Sequence, residues 1–203
     1  MRNKNPEELI KLNLELENHI NQDGDLNPLE GKNACLFQIS KHEKGYEYYF
    51  RKNLPEELRI ELRDLTPEIV MKDHDQIINI INQYTLCIKA QEFISCFFAH
   101  IPRLEEFLEV EHRGKTFFIK RDGKEVSWAW AQEENDKAIE LAVETLIDYR
   151  RKGFARQVVT ACAYHAITMG KIAFYSFLKG NSVSEALAKS LNVKKYAEIT
   201  SYS

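Results

Sequence analysis

The chain has no surplus of positive charge: 28 Lys and Arg stand against 31 Asp and Glu in 203 residues, a formal charge of −3. Nucleic-acid binders collect a basic excess on one face, so bulk binding to nucleic acid is not expected. Long apolar runs are also missing. Gln157–Gly170, the longest stretch of the C-terminal half without a formally charged side chain, carries Thr160, Tyr164, His165 and Thr168. It falls short of the roughly 20 apolar residues that a membrane span needs. Met1–Pro6, followed by Glu7 and Glu8, offers neither an apolar h-region nor a small-residue cleavage site, so no secretory signal is expected and the cytoplasm is the expected compartment. Gly (8) and Pro (5) are too sparse for a collagen-like or low-complexity chain. Cys35, Cys87, Cys96 and Cys162 show no CxxC spacing and sit in apolar surroundings, which predicts reduced core residues rather than disulfides or a zinc site. No metal is implied.

What remains is an ordinary globular composition, 44% hydrophobic and 29% charged, and a chain of this length can bury ~70% of its unfolded surface. Pro6 to His19 has apolar residues at helical spacing behind a proline and predicts an opening helix. Asn21–Asn33 reads as loop. Ala34–Ser40 and Tyr46–Arg51 predict a hairpin about Lys44-Gly45, and Pro55–Leu65 and Pro67–Tyr84 predict two helices. From Glu109 the pattern turns to strands: His112–Arg121, then Lys124–Gln132 after an Asp122-Gly123 turn, then Ala138–Thr145. A helix (Gly153–Met169), a strand (Ile172–Leu178), a helix (Ser182–Leu191) and a strand (Lys195–Tyr202) follow. This order predicts an α+β fold, a mixed twisted sheet flanked by helices, preceded by a helical and hairpin N-terminal half. The boundary is expected between a region 1–105 and a domain 106–203.

Ala138–Gly170 carries the most chemistry. An apolar strand ends, a turn gathers Arg150, Arg151, Lys152 and Gly153, and a helix starts at once through Phe154, Ala155 and Arg156. The first turn of a helix presents unpaired N–H groups and a partial positive charge, so this spacing predicts a phosphate cradle, with Gly153 permitting close approach.

Arg150-Arg151-Lys152-Gly153-Phe154-Ala155 resembles the Q/R-x-x-G-x-G/A signature of the GCN5-related N-acetyltransferase superfamily. Asn181-Ser182-Val183-Ser184-Glu185-Ala186-Leu187-Ala188 resembles its next helix start. Val143-Glu144-Thr145 is similar to the pattern of the zwittermicin-resistance type. The resemblance covers about Lys115–Tyr202. It implies acetyl-coenzyme A as donor, the N–H groups of Arg151–Ala155 on the pyrophosphate, backbone groups of Val143 and Thr145 on the pantetheine arm, and Asn181, with Ser184, meeting the arm from the other side. It also implies transfer to a primary amine of a small molecule or protein. The tyrosine acid of many members is absent from the last helix, leaving Tyr175, Tyr196 or no acid at all. An acyl-coenzyme A binding module without transfer chemistry is therefore the alternative, and a plain structural domain a third.

Glu140 and Glu144 lie on one side of the predicted strand with Ala142, and either is a candidate general base. Trp128 and Trp130 share a strand face, as an aromatic wall for the acceptor or as core packing against helices. His165 is read as a hydrogen-bonded core histidine. The N-terminal half is expected to shape acceptor choice or homodimer contacts.

Overall fold

The structure is a computed structural model that describes residues 4–32 and 35–203. Met1–Asn3, the end of the predicted loop at Asn33 and the start of the predicted strand at Ala34 lie outside the described residues. The chain forms two compact units. The first comprises Asn5–Ile94 with Tyr196–Ser203, the second Ser95–Lys195 with Lys4. These limits differ from the single boundary expected at 105/106, because the chain changes unit inside two strands, β5 (Ala90–Phe97) and β11 (Lys194–Tyr202).

In the first unit, α1 (Pro6–Leu14) starts at its proline with Glu7 and Glu8 in the first turn, where acids suit the helix dipole. It ends short of His19, since β1 (Asn18–Ile20) pairs antiparallel with β2 (Leu26–Pro28), a strand inside the predicted loop. β3 (Phe37–His42) and β4 (Gly45–Phe50) form the expected hairpin, from Phe37↔Phe50 to His42↔Gly45. β11 lies antiparallel on the other side of β3, from Glu198↔Lys41 to Tyr202↔Phe37. After α2 (Glu56–Asp64), the predicted helix Pro67–Tyr84 is two helices, α3 (Pro67–Lys72) and α4 (His74–Ile81). Asp73 between them leaves helical geometry, and its carboxylate accepts the Gln76 N–H at 3.2 Å, capping a new start.

One face of β3 and β4 meets these helices. Phe37 stacks on Phe50 at 4.8 Å and on Tyr202 at 5.6 Å, within a core that includes Leu58, Leu62, Val70, Ile77 and Ile81. Arg59 is a buried charge with its hydrogen bonds made: to Asp25 at 2.6 Å and to the carbonyls of Leu54, Arg51 and Lys52. A cation out of water is tolerable only when so surrounded.

The second unit carries β6 (Glu111–Arg113), β7 (Thr116–Arg121), β8 (Lys124–Glu134), β9 (Ala138–Thr145) and β10 (Ile172–Leu178), with the end of β5 beside β10 in the order β5-β10-β9-β8-β7-β6. Pairing from β6 to β9 is antiparallel and between β9 and β10 parallel, so the sheet is mixed, as expected. The predicted strand 112–121 is split by Gly114, whose φ of +58° makes the turn between β6 and β7. α5 (Phe154–Thr168) and α6 (Ser182–Ser190) follow the predicted bounds within two residues. Among the described residues no helix is long and apolar enough to cross a membrane.

Two expectations fail in detail. His165 is exposed, not core: α5 buries Val158, Cys162 and Ala166 with Val159, Ala163 and Ile167, and position 165 falls outside that face, its ring 5.5 Å from Phe117. Cys87, Cys96 and Cys162 are buried free thiols, with burial pushing Cys96 up to about 11 and Cys162 up to about 12. Cys35, also free, is only half buried, just before the core side chains Leu36 and Phe37, and burial still pushes its thiol up to about 12.

Candidate active site

β9 and β10 run side by side for only three pairs, Ile172↔Ala138, Ala173↔Ile139 and Phe174↔Glu140. Past that point both strands continue but part. At the fork, the Ser176 N–H donates to Glu140 Oε1 at 2.7 Å and the Ser176 hydroxyl to Oε2 at 3.2 Å. A side-chain carboxylate thus takes the amide that a strand carbonyl would take in a closed ladder.

The orientation of the β9 backbone follows from its other neighbour. Ser127↔Thr145, Ala129↔Val143 and Trp130↔Ala142 are paired with β8, and the Leu146 N–H donates to the Val126 carbonyl at 2.9 Å. That bond makes Ser127↔Thr145 a non-hydrogen-bonded pair, and antiparallel alternation then turns the backbone groups of Val143 and Thr145 away from β8, toward the gap. The expected pair therefore lines the opening. The Thr145 carbonyl is already engaged, accepting from Arg150 Nε at 3.2 Å, and its side chain bonds Ser127 at 2.8 Å.

The turn after β9 ends at an uncapped helix start. Arg151 (φ +61°) and Gly153 (φ +81°) are both left-handed, which folds the N–H groups into a concave nest. Gly153 is the N-cap of α5, no side chain caps the helix, and no acid occupies its first turn. A Cβ on Gly153 would meet nothing within 4 Å, so the space beside it is open. Arg150, Arg151 and Lys152 are exposed around it, with Lys152 Nζ 4.9 Å from the Tyr149 ring. Unpaired amides, left-handed glycine, open volume and basic rim fit a pyrophosphate. Two assigned residues take other parts. The Phe154 side chain is buried under the Arg121 guanidinium at 4.7 Å, so only its backbone can serve the cradle. Arg156 is held by Glu106 at 2.7 Å. Ala155 is half buried in the first turn.

The two sides of the sheet differ. α5 covers the face of Phe117, Ala129 and Val143. Tyr175 shares that face, buried, with its hydroxyl hydrogen-bonded to Ser184 in the first turn of α6. Burial raises its pKa above the ordinary phenol value, a rise the Ser184 bond partly opposes. Asn181 caps α6 by accepting the Ser184 N–H at 3.1 Å, which commits its carbonyl oxygen and leaves its amide nitrogen as the group for a ligand. Tyr196 lies in the other unit.

The opposite face carries Trp128 and Trp130 with Glu140, Ala142 and Glu144, since Trp128↔Glu144 and Trp130↔Ala142 are direct partners. Both indoles are half buried there, so they do not pack under α5 as core. Glu144 is exposed.

Comparison with known proteins shows the family. The family model for GNAT acetyltransferase matches residues 30–202. No curated protein matches. An acetyltransferase of the GNAT family from Colwellia psychrerythraea superposes with a TM-score of 0.54 at 11% identity, covering 98% of this chain and 97% of that one. A GNAT-family protein from Novosphingobium aromaticivorans aligns with a TM-score of 0.47 at 15% identity over 57% of this chain, which spans 65% of that chain's length. The uncapped basic turn, the forked strands and a family match running through both units lead to one assignment: the chain belongs to the GNAT acetyltransferase family.

Proposed function

We propose that the chain transfers an acetyl group from acetyl-coenzyme A directly to a primary amine of a small molecule or protein, at the fork between β9 and β10. The observation that carries this reading is the Glu140–Ser176 bond, which sets a carboxylate at the apex of an open strand edge leading from the α5 nest. The bound donor would supply an activated thioester carbonyl and a thiol leaving group.

The N–H groups of Arg151–Ala155 hold the pyrophosphate, with Arg150, Arg151 and Lys152 adding charge. The Val143 N–H and carbonyl and the Thr145 N–H bind the pantetheine arm as an added strand, and the Asn181 amide closes on it. An arm laid from the nest along Thr145 and Val143 brings its sulfur end to Glu140. Glu144, four residues nearer the nest and thus roughly 13 Å back along the strand, flanks the arm instead. Glu140 therefore accepts the amine proton, directly or through water, held in place by Ser176. Tyr175, on the helix face, keeps its proton at neutral pH and donates it to the departing sulfur, positioned by Ser184. The acceptor enters from the other face, past Trp128 and Trp130, whose ring faces suit a cationic amine. The zwittermicin-resistance subtype is supported by Val143-Glu144-Thr145.

The test has two stages. Acetyl-coenzyme A at millimolar concentration should raise Tm by several degrees, while unrelated nucleotides do less. Free-thiol release should then be followed across polyamines, aminoglycosides and lysine peptides. No Tm shift in folded protein would overturn the donor site. A shift without transfer to any amine would favour the binding module.

A further inference from the structure

The first unit contains a second cluster of ionisable groups. On β3, Gln38, Ser40 and His42 alternate onto the face opposite Phe37 and Ile39, and the pairs Gln38↔Tyr49 and Ser40↔Glu47 place Tyr49 and Glu47 on that same face. Glu7, in the first turn of α1, reaches the same place: one ligand atom each from Glu7, His42 and Glu47 lies within 4.8 Å of the others.

Two polar atoms in this cluster are buried and lack a hydrogen-bond partner. The His42 side chain is 2% exposed, and its Nε2 stands 3.8 Å from Glu47 Oε1, too far for a hydrogen bond. The Tyr49 hydroxyl is likewise buried without a partner, and the negative charges of Glu47 and Glu7 reach it. A buried imidazole nitrogen that faces one carboxylate and clusters with a second, beside an unpaired phenol, is costly unless something sits between them.

We propose that this cluster binds one divalent transition-metal ion through the carboxylates of Glu7 and Glu47 and Nε2 of His42, with Tyr49 at its margin. Imidazole with two carboxylates suits borderline cations such as Zn²⁺, whereas Mg²⁺ and Ca²⁺ take oxygen alone. Metal–ligand distances of about 2.0–2.2 Å require the ligands to close by roughly 1 Å, and the Glu47 side chain, 37% exposed, has the freedom to do so. Three protein ligands leave a fourth position for water.

The surrounding bonds are compatible. Asn5 donates to Glu7 Oε2 at 3.2 Å and accepts from Lys44 Nζ at 3.0 Å, and the Glu7 carboxylate keeps further lone pairs for the ion. The Lys44 N–H donates to His42 Nδ1 at 3.3 Å. Metal at Nε2 moves the ring proton to Nδ1, and that long bond, in an exposed turn, is exchanged for water. The ion would join α1 to the β3–β4 hairpin.

The experiment uses untagged full-length protein stripped with chelator. Calorimetry with ZnCl₂ should show one site, and a hundredfold excess over Kd should raise Tm by roughly 5–10 °C, with MgCl₂ inert. Glu7→Gln and Glu47→Gln, which keep size at partly exposed positions, should each weaken Zn²⁺ binding at least about tenfold, and His42→Gln should abolish it. Co²⁺ should give a spectrum of nitrogen and oxygen ligation. Folded protein that binds no Zn²⁺, binding untouched by Glu7→Gln and Glu47→Gln, or a thiolate spectrum lost in Cys35→Ser would each overturn the site.

Discussion

Glu140 and Ser176 meet where two parallel strands separate, the carboxylate accepting the partner's amide at 2.7 Å and its hydroxyl at 3.2 Å. Strand parting exposes an edge that a ligand can use, and the same carboxylate that satisfies the fork faces the side from which an amine would come. In the proposed mechanism, site architecture and proton acceptance would thereby rest on one residue.

Glu140→Gln should lower kcat by about 10²–10³-fold and abolish the rise of rate with pH, while Glu144→Gln changes it by less than about threefold. Ser176→Ala, which removes one of the two bonds, should fall between. Steady-state rates over a pH series with the best amine decide this; equal rates in both glutamine variants would move the base elsewhere.

Gly153→Val should weaken acetyl-coenzyme A binding by more than tenfold. The added side chain enters open space rather than protein, so the loss comes from occupying the phosphate position, with about 1–2 kcal/mol of instability from placing a β-branched residue at φ +81°. Gly153→Ala carries less bulk and should lie between. Calorimetric titration beside thermal melts separates the two effects.

The Arg156–Glu106 pair competes with any anion at the start of α5. Glu106→Gln should therefore tighten coenzyme A binding severalfold, with a steeper salt dependence, and Arg156→Ala should cancel the gain. Affinities measured at two ionic strengths check it.

Glu134 lies between Lys115 and Lys171, bonded to both, and these cations hold its pKa below the ordinary glutamate value. A depressed folded-state pKa contributes stability above the unfolded pKa, near 4.3, and loses it as pH falls through the folded value. Glu134→Gln should cost about 1 kcal/mol at pH 7, and the difference from the parent should shrink as pH falls below the unfolded glutamate value and vanish once Glu134 is protonated in the folded state. Urea melts across that range give the comparison.

Much of the second unit was legible because its signals are local. β9 and β10 match their apolar runs residue for residue, and Gly153 and Gly170 bracket α5. The split of Pro67–Tyr84 had a readable cause in Asp73, a capping residue three before Gln76. β5 was not seen: Ala90–Phe97 opens with Ala-Gln-Glu, good helix formers, and its strand state is decided by neighbours far along the chain, among them the Ala173 carbonyl that takes the Phe98 N–H at 3.0 Å. Within the site, the residue types at the turn and on β9 were readable from spacing. The fork was not, because Glu140 and Ser176 are 36 residues apart and only the strand register brings them together. The same holds for Glu7, His42 and Glu47, which come from three elements.

The course of the chain through β5 and β11 has a consequence for synthesis on the ribosome. β11 lies between β3 and β5 in strand order, and its residues Tyr196–Tyr202 belong to the unit that begins at Asn5. That unit cannot complete its sheet until the whole of Ser95–Lys195 has been made, so the nascent hairpin must wait with an unpaired β3 edge while the later unit folds. Truncation at any interior position before Tyr196 leaves the same edge bare, which makes aggregation, rather than an isolated soluble half, the expected fate of such fragments.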